Sequence, residues 1–465
     1  MGTVQEETVA ALAADFGGDL IKPDEATYDE ARQVWNAMIQ RRPALVARPT
    51  GTADVIAAVT YAREQGLPVA VRGGAHSAAG HGSCDDGVVL DLSRMKGVHV
   101  DVARRTARAA GGVQWGEYDR ETQAFGLHTP GGRITTTGVG GFTVGGGYGW
   151  TSPKFGLTCD NLISADVVTG NGELVTASET ENEDLFWGLR GGGSNFGVVT
   201  SFEFRLHELG PIVLGGMLIF PLEQGEQAMA AYREVVEDAP DELSTAAAMV
   251  TAPPEEFVPE HLRGKPVLGF LVSYAGDPEE GAKVVAPLRA AGPVVDLVGP
   301  VPYRALQAML DPMAPPGLRS YWRGLHLNGM SDDVVETFLR FPTEGLGPLS
   351  FLIIFQHGGA VSRVPDDAMA FSHRAATFMA HPVAAWDSPA DDERHIAWVK
   401  DVTDAFEPVL TGGVYLNFMT ELDRVQRGYS PEKWDRLVAL KERYDPDNLF
   451  RFNQNIAYEP AGAAA

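Results

Sequence analysis

Apolar runs and helical repeats alternate through the first two hundred residues. The apolar run 44–48, the helical pattern 52–65 and the apolar run 67–71 predict one β-α-β unit. The same criteria predict strands at 88–92, 163–169 and 196–202, a hairpin at 97–110, and helices at 28–40, 114–126 and 181–189. This part of the chain therefore predicts a compact mixed domain.

The pattern changes after residue 206, where longer strands alternate with helices. Strands are predicted at 213–220, 243–251, 266–274, 319–329 and 350–357, and helices at 222–237, 278–291 and 331–341. Long strands separated by helices favour a large antiparallel sheet covered by helices on one face. Glycine and aromatic motifs return near 408. We therefore predict an α+β protein with one domain split between 1–205 and 408–465 and a second at 206–407.

Glycine is unusually abundant, and its distribution suggests a ligand. The 53 glycines cluster at 73–82, 111–112, 131–149 and 191–197, between segments predicted to be folded. Glycines at the end of a strand let backbone N–H groups approach a phosphate closely. In the segment 71–77, His76 follows such a pair of glycines. From the residues alone, His76 could anchor a cofactor, act as a base, bind a metal or be an ordinary loop histidine.

Composition excludes several classes of protein. The formal net charge of −25 disfavours nucleic acid and anionic membranes as partners. The two cysteines cannot form a disulfide scaffold or a cysteine-rich metal site, and we expect no bound metal. The acidic segment 1–7 lacks the features of a secretory signal, and no apolar run is long enough to span a membrane. We therefore expect a soluble cytoplasmic protein.

The glycine-rich segment 131–149 has spacings like those of dinucleotide-binding loops. A Rossmann site also needs a strand directly before the glycines and a helix directly after them. Here threonines precede the glycines and no helix pattern opens, so an NAD site is disfavoured. The sequence also has no P-loop motif, which argues against an NTPase.

Several motifs in a fixed order resemble those of one flavoprotein family. They include the segments 72–77, 138–141, 145–149 and 156–161, then 184–187, 190–193 and 195–200, and finally 415–418, 444–448 and 453–456. Together they resemble the berberine-bridge-enzyme-like branch of the vanillyl-alcohol-oxidase superfamily. The resemblance extends from about residue 40 to residue 456. It implies a PCMH-type FAD-binding domain, comprising 1–205 and 408–465, and a substrate-binding domain.

The resemblance also implies roles for individual residues. His76 matches the histidine that bonds covalently to the C8 methyl group of FAD in this family. The implied FAD contacts are Arg72, Gly73, Gly74, Ala75, His76, Ser77, Thr137, Gly138, Gly140, Gly141, Gly145, Gly146, Tyr148, Asp160, Asn161, Gly197, Val198, Val199, Tyr415, Asn417 and Asn453. Asp160, Asn161 and the segment 197–199 match the adenine end, and Tyr415, Asn417 and Asn453 match a motif that returns to the flavin ring.

Three positions depart from the family pattern. Ile134 stands where many relatives carry a second flavin-linking cysteine, so a single covalent bond is expected. Phe142 stands where a histidine is common. Phe418 replaces a tyrosine that is a candidate base in the family, which leaves the proton acceptor open.

Other polar residues could take the place of that base. We predict Tyr415 first, on a strand that it shares with Asn417, and Tyr148 second. Either tyrosine would need a pKa well below its usual value near 10. Further candidates in the second domain are Tyr321, Arg323, His326, Gln356 and His357.

The sequence therefore predicts an FAD-dependent oxidase or dehydrogenase that takes hydride from a C–H next to OH or NH. The expected substrate is a bulky organic molecule, a sugar or an alcohol, with O2 as the acceptor. An alternative is oxidative cyclisation or rearrangement in secondary metabolism. A third is a flavin-holding protein without catalysis.

Overall fold

A computed structural model describes residues 6–343, 345–421 and 425–456. Its helices are Glu6–Ala13, Tyr28–Ala31, Thr52–Glu64, Trp115–Gln123, Val139–Val144, Ser152–Phe155, Glu183–Leu189, Gly225–Glu237, Pro278–Val284, Ala286–Ala290, Tyr303–Gln307, Asp332–Leu339, Ala360–Arg363, Asp392–Phe406 and Pro431–Tyr444. Within the described ranges there is no membrane-spanning helix. No group of three or more His, Cys, Asp or Glu side chains is arranged to hold a metal ion in the same ranges.

Two small sheets form the amino-terminal part of the molecule. The first has the strand order Asp19–Ile21, Leu45–Arg48, Val88–Asp91, Val69–Arg72, and its last three strands are parallel. The second is antiparallel, with the order Val98–Asp101, Thr106–Ala110, Gly197–Arg205, Leu162–Thr169, Leu174–Ser178. A short ladder pairs Leu127–His128 with His207–Glu208. The predicted β-α-β unit is confirmed, with the helix Thr52–Glu64 between its strands.

A nine-stranded antiparallel sheet dominates the second part of the chain. Its main order is Val295–Asp296, Ile212–Pro221, Pro266–Tyr274, Leu243–Thr251, Phe351–Gln356, Phe378–Trp386, Arg319–Trp322; Gly299–Pro302 and Leu325–Leu327 pair at its margins. Helices Gly225–Glu237, Asp332–Leu339 and Asp392–Phe406 share a hydrophobic core with one face of this sheet. The predicted large sheet with helices on one face is therefore confirmed.

The carboxyl-terminal segment packs back on the amino-terminal part. Lys441, at the end of the helix Pro431–Tyr444, is fully buried and donates to the carbonyl oxygens of Asn195 and Phe450 and to Asp445. Leu449 and Phe450 join the core of the first sheet. These contacts agree with a split domain, whose boundaries at 206 and 408 stay a prediction.

Several predicted elements are wrong in extent. The helix predicted at 28–40 ends at Ala31, and the strand predicted at 319–329 is broken between Trp322 and Leu325. A six-residue helix begins at Val139, although no helix was expected after Gly138. The strand Phe378–Trp386 was not predicted, because Pro382 and burial of every one of its residues hide the alternation of an ordinary strand.

Candidate functional site

A cavity of about 690 Å³ lies between the glycine-rich loops and the free face of the large sheet. Strand alternation produces its apolar wall, because neighbouring residues point to opposite faces. Ala248 and Val250 face the cavity, whereas Ala247 and Met249 pack against the helices. The residues of this sheet wall are Met217, Ala248, Val250, Leu271, Phe351, Ile353, Phe355, His381, Val383 and Ala385.

The opposite wall, which we call the glycine wall, consists largely of backbone. It lies where the loop 73–77 meets the segment 137–145. A Cβ on Gly74 would lie 2.2 Å from the backbone nitrogen of Gly138, and a Cβ on Gly138 would lie 2.3 Å from that of Gly74. Only glycine permits this contact at both positions. Gly141 has open space where its Cβ would stand. The glycine wall is therefore a concave backbone surface, suited to a phosphate-bearing ligand.

His76 is held at the edge of this wall by several contacts. Ala75 before it adopts a left-handed backbone with φ of 61°, and its carbonyl oxygen accepts a hydrogen bond from the Trp35 backbone nitrogen. The Trp35 ring stacks on the imidazole with a centroid distance of 5.4 Å. Nε2 of His76 lies 2.8 Å from Oγ1 of Thr136. Burial lowers the pKa of His76 to about 4, so its imidazole is neutral at neutral pH.

Many of the predicted cofactor residues meet in this cavity. The lining includes Arg72, Gly73, Gly74, Ala75, His76, Ser77, Thr137, Gly138, Gly141, Gly145, Tyr148, Asn417 and Asn453. The guanidinium of Arg72 is nevertheless engaged by protein groups: it donates to the carbonyl oxygens of Gly82 and Ala31 and lies 3.6 Å from Asp91. Arg72 therefore fixes the conformation of the loop, and the carboxylate of Asp91 partly neutralises its positive charge.

The remaining predicted residues lie outside the cavity lining: Gly140, Gly146, Asp160, Asn161, Gly197, Val198, Val199 and Tyr415. Asp160 forms a buried ion pair with Arg374 at 2.6 Å, and Asn161 donates to the carbonyl oxygens of Phe155 and Leu157. Both side chains therefore stabilise the local protein structure. Their role at the adenine end of the cofactor stays a prediction.

Tyr415 does not have the lowered pKa that a base at this site would need. The strand predicted around it is wrong, because a 3-10 turn begins at Leu416. Its phenolic oxygen accepts from the backbone nitrogens of Gly147 and Tyr148, each at 3.2 Å, and from Nδ2 of Asn417 at 3.0 Å. Burial nevertheless raises the pKa of Tyr415 to about 12.

Tyr148 is buried as well, and burial raises its pKa above the usual value. Its ring stacks on His357 with a centroid distance of 3.5 Å, and its hydroxyl has no hydrogen-bond partner among the described residues. Neither tyrosine therefore has the lowered pKa that proton abstraction near neutrality requires.

His381 is a polar group of the sheet wall that the sequence interpretation missed. Its Nδ1 lies 2.8 Å from the carbonyl oxygen of Arg323, so Nδ1 carries the proton and Nε2 keeps its lone pair. The structure gives Nε2 no hydrogen-bond partner among the described residues, and the ring stacks on Phe418 with a centroid distance of 3.8 Å. Burial, reinforced by the charge of Arg133, lowers the pKa of His381 to about 3.

Arg133 is the second cavity residue that the sequence interpretation missed. Its guanidinium lies between the rings of Phe355 and Trp150, at 4.2 Å and 4.8 Å from their centroids. It donates to the carbonyl oxygens of Tyr148 and Gly149 at 3.4 Å and 3.2 Å. Burial lowers the pKa of Arg133 to about 10, which leaves it charged at neutral pH.

The site fits FAD on the evidence of its own residues. The glycine wall offers bare backbone where Gly141 has open space, and a neutral histidine stands at its edge. The opposite wall is apolar and leaves room for an organic substrate. Residues 73–77 and 137–145 would hold the cofactor against the glycine wall.

Comparisons with known proteins agree with this assignment. Residues 43–178 match the family described as FAD binding domain, and residues 405–457 match the family described as berberine and berberine like. An FAD-linked oxidoreductase of Dictyostelium discoideum is 32% identical, over 94% of this chain and 93% of that protein. (R)-6-hydroxynicotine oxidase of Paenarthrobacter nicotinovorans is 30% identical, over 97% of this chain and 99% of that protein.

Solved structures show the same architecture. A crystal structure of 6-hydroxy-D-nicotine oxidase from Arthrobacter nicotinovorans superposes with a TM-score of 0.83 at 28% identity, covering 96% of this chain and 99% of that one. Xylooligosaccharide oxidase from Myceliophthora thermophila superposes with a TM-score of 0.82 at 26% identity, covering 98% and 99%. The chain therefore belongs to the berberine-bridge-enzyme-like family of FAD-linked oxidoreductases.

Proposed function

We propose that this enzyme is an oxidase that removes hydride from a C–H next to OH or NH, with O2 as acceptor. The observation that carries the proposal is the pairing of two neutral imidazoles in one cavity, His76 at the glycine wall and His381 on the sheet wall. The names of two similar proteins, (R)-6-hydroxynicotine oxidase and xylooligosaccharide oxidase, indicate a nicotine derivative and an oligosaccharide as their substrates. A bulky organic, sugar or alcohol substrate is therefore the class proposed here.

His76 is the proposed site of covalent flavin attachment, as the only flavin-linking residue. Bonding to the C8 methyl group requires an uncharged ring nitrogen with a free lone pair. If Nε2 donates to Thr136, the lone pair stands on Nδ1, which has no partner among the described residues. The stacked Trp35 and the left-handed Ala75 hold the ring in place before the cofactor binds.

His381 is the proposed proton acceptor, in place of Tyr415 and Tyr148. When bound, the flavin would supply the hydride acceptor, with O2 as the proposed final acceptor of the electrons. His381 Nε2 would accept the proton of the substrate OH or NH, while the Arg323 carbonyl oxygen holds Nδ1–H and fixes the tautomer. A pKa of about 3 makes this imidazole a weak base, so the role requires that binding of the anionic cofactor and the substrate raise that pKa. The apolar sheet wall excludes water from the reacting groups.

Denaturation tests the covalent bond directly. Acid-precipitated holoenzyme should stay yellow, and a peptide that contains His76 should carry the mass of the flavin. His76→Ala should release the flavin on denaturation. His81→Ala is the matched control, because His81 lies in the same loop and also lines the cavity, and it should keep the bond. Flavin that stays attached in His76→Ala would place the linkage elsewhere.

A second candidate function is oxidative cyclisation or rearrangement, which the almost wholly apolar sheet wall favours over sugar oxidation. Hydrogen peroxide release with simple alcohols, amines or sugars supports the first function. A rearranged product from a polycyclic or poly-carbonyl compound, without turnover of simple alcohols, supports the second.

A further inference from the structure

Arg133 is a buried positive charge without a negative partner in the part of the chain that the structure describes. The residue is 8% exposed, and its Nε has no hydrogen-bond partner. The two other guanidinium nitrogens each reach only a backbone carbonyl oxygen, at 3.4 Å and 3.2 Å. Other buried arginines of this protein are paired, as Arg374 is with Asp160 and Arg72 with Asp91.

Removing a charge from water is costly unless an opposite charge or strong hydrogen bonds compensate it. The aromatic rings of Phe355 and Trp150 offset part of this cost through cation–π contacts. These rings form no hydrogen bonds with the N–H groups of the guanidinium, because those groups point outward in the plane of the group. Two of its N–H donors reach backbone carbonyl oxygens, and a planar, bidentate acceptor such as a carboxylate would use two of the donors that remain.

The surroundings of Arg133 indicate the rest of the ligand. Phe355 belongs to the sheet wall, where Leu271, Phe351 and Ile353 also face the cavity. A ligand held at the guanidinium would therefore lay its body along apolar and aromatic side chains. This arrangement suits a hydrophobic or aromatic body with one negatively charged end.

We propose that Arg133 is an anion subsite that selects substrates with a carboxylate, or a comparable planar anion, on an apolar body. The proposal rests on the proposed function, since it names the substrate class of the same cavity. Arg133 would bind and orient the charged end by two N–H···O contacts. The oxidisable carbon would then lie toward the glycine wall.

The test is calorimetric titration of the oxidised holoenzyme with benzoate and with benzamide, which have the same shape but differ in charge. Wild-type protein should bind benzoate about 10- to 100-fold more tightly than benzamide, as expected for charge-assisted hydrogen bonds. Arg133→Met should abolish this preference, because methionine fills space between the rings without a charge. Arg133→Lys should keep part of it, since lysine lacks the planar donor set.

Arg120→Met is the matched control, because the Arg120 side chain is 73% exposed on the helix Trp115–Gln123. It should bind both probes as the wild type does. Circular dichroism of each variant excludes misfolding as the cause of a change. If Arg133→Met does not fold, the wild type and Arg133→Lys still decide the matter through their benzoate-to-benzamide ratios.

Three results would overturn the proposal. One is equal affinity of the wild type for the two probes, or no binding of benzoate at all. Another is an unchanged preference in Arg133→Met. The third is a shifted flavin absorption spectrum in Arg133→Met with unaltered benzoate affinity, which would assign the arginine to the cofactor. Because titration needs no turnover or covalent flavin, it can succeed even where the proposed oxidase function or the His76 bond fails.

Discussion

The two walls of the cavity are built on different physical principles. The glycine wall uses backbone, and its shape depends on the absence of side chains at positions such as Gly74 and Gly138. The sheet wall uses side chains that a regular pleat presents, and its chemistry depends on which residues occupy alternate positions. The first wall can change little without breaking contacts, whereas the second can be varied residue by residue. We infer that cofactor binding belongs to the first wall and substrate choice to the second.

The largest expected effect is on the rate of flavin reduction, when His381, a polar residue of the sheet wall, is replaced. His381→Gln should slow anaerobic flavin reduction by about 10²-fold or more, the range for loss of a general base. Stopped-flow absorbance, with the best substrate from a screen of alcohols, amines and sugars, measures the rate. Covalent flavin content should not change.

Tyr415→Phe is the comparison variant for that experiment. We expect a smaller loss, because the raised pKa of Tyr415 leaves its phenol protonated at neutral pH. A loss for Tyr415→Phe as large as that for His381→Gln would return the role of base to the tyrosine.

Substitutions in the glycine wall should reduce the stability of the protein before they affect the reaction. Gly74→Ala places a methyl group 2.2 Å from the Gly138 nitrogen and should destabilise the protein by about 1–3 kcal/mol or more. Thermal unfolding and flavin content measure the effect. Gly299→Ala, where the added Cβ meets no atom within 4 Å, should leave both unchanged. Equal melting temperatures for the two variants would contradict the close backbone contact.

Acid should weaken the sheet that carries the second wall. Burial lowers the pKa of both His326 and His381 to about 3, below the ordinary value near 6.5. The unfolded chain therefore binds more protons than the folded one between pH 6.5 and 3, so stability is full above pH 6.5 and falls as the pH drops. At pH 5 each histidine should lower the free energy of unfolding by on the order of 2 kcal/mol relative to neutral pH.

Thermal midpoints at pH 7 and pH 5 measure this loss, and His381→Gln should reduce the difference between them. If the variant and the wild type lose the same stability over that interval, His381 is not buried as a neutral group.

Local patterns predicted much of the fold. The strands near 212, 243 and 266 show clear apolar runs, and the structure has them within a residue or two of the predicted ends. The strand Phe378–Trp386 escaped prediction because every one of its residues is buried, which removes the alternation of apolar and polar positions. Propensity does not report such burial, since it is produced by partners far away in the chain.

The sequence by itself determined the glycine wall, the position of His76 and the flavoprotein family. These features depend on short segments in which glycine sets the backbone conformation locally. Only the tertiary structure decided what the polar side chains can do. Tyr415 takes two of its donors from residues 267 and 268 positions away, and the proton on His381 is fixed by Arg323, 58 positions away. A pKa, a free lone pair and an unpaired charge all depend on such distant partners and on burial, which become defined only when the chain folds.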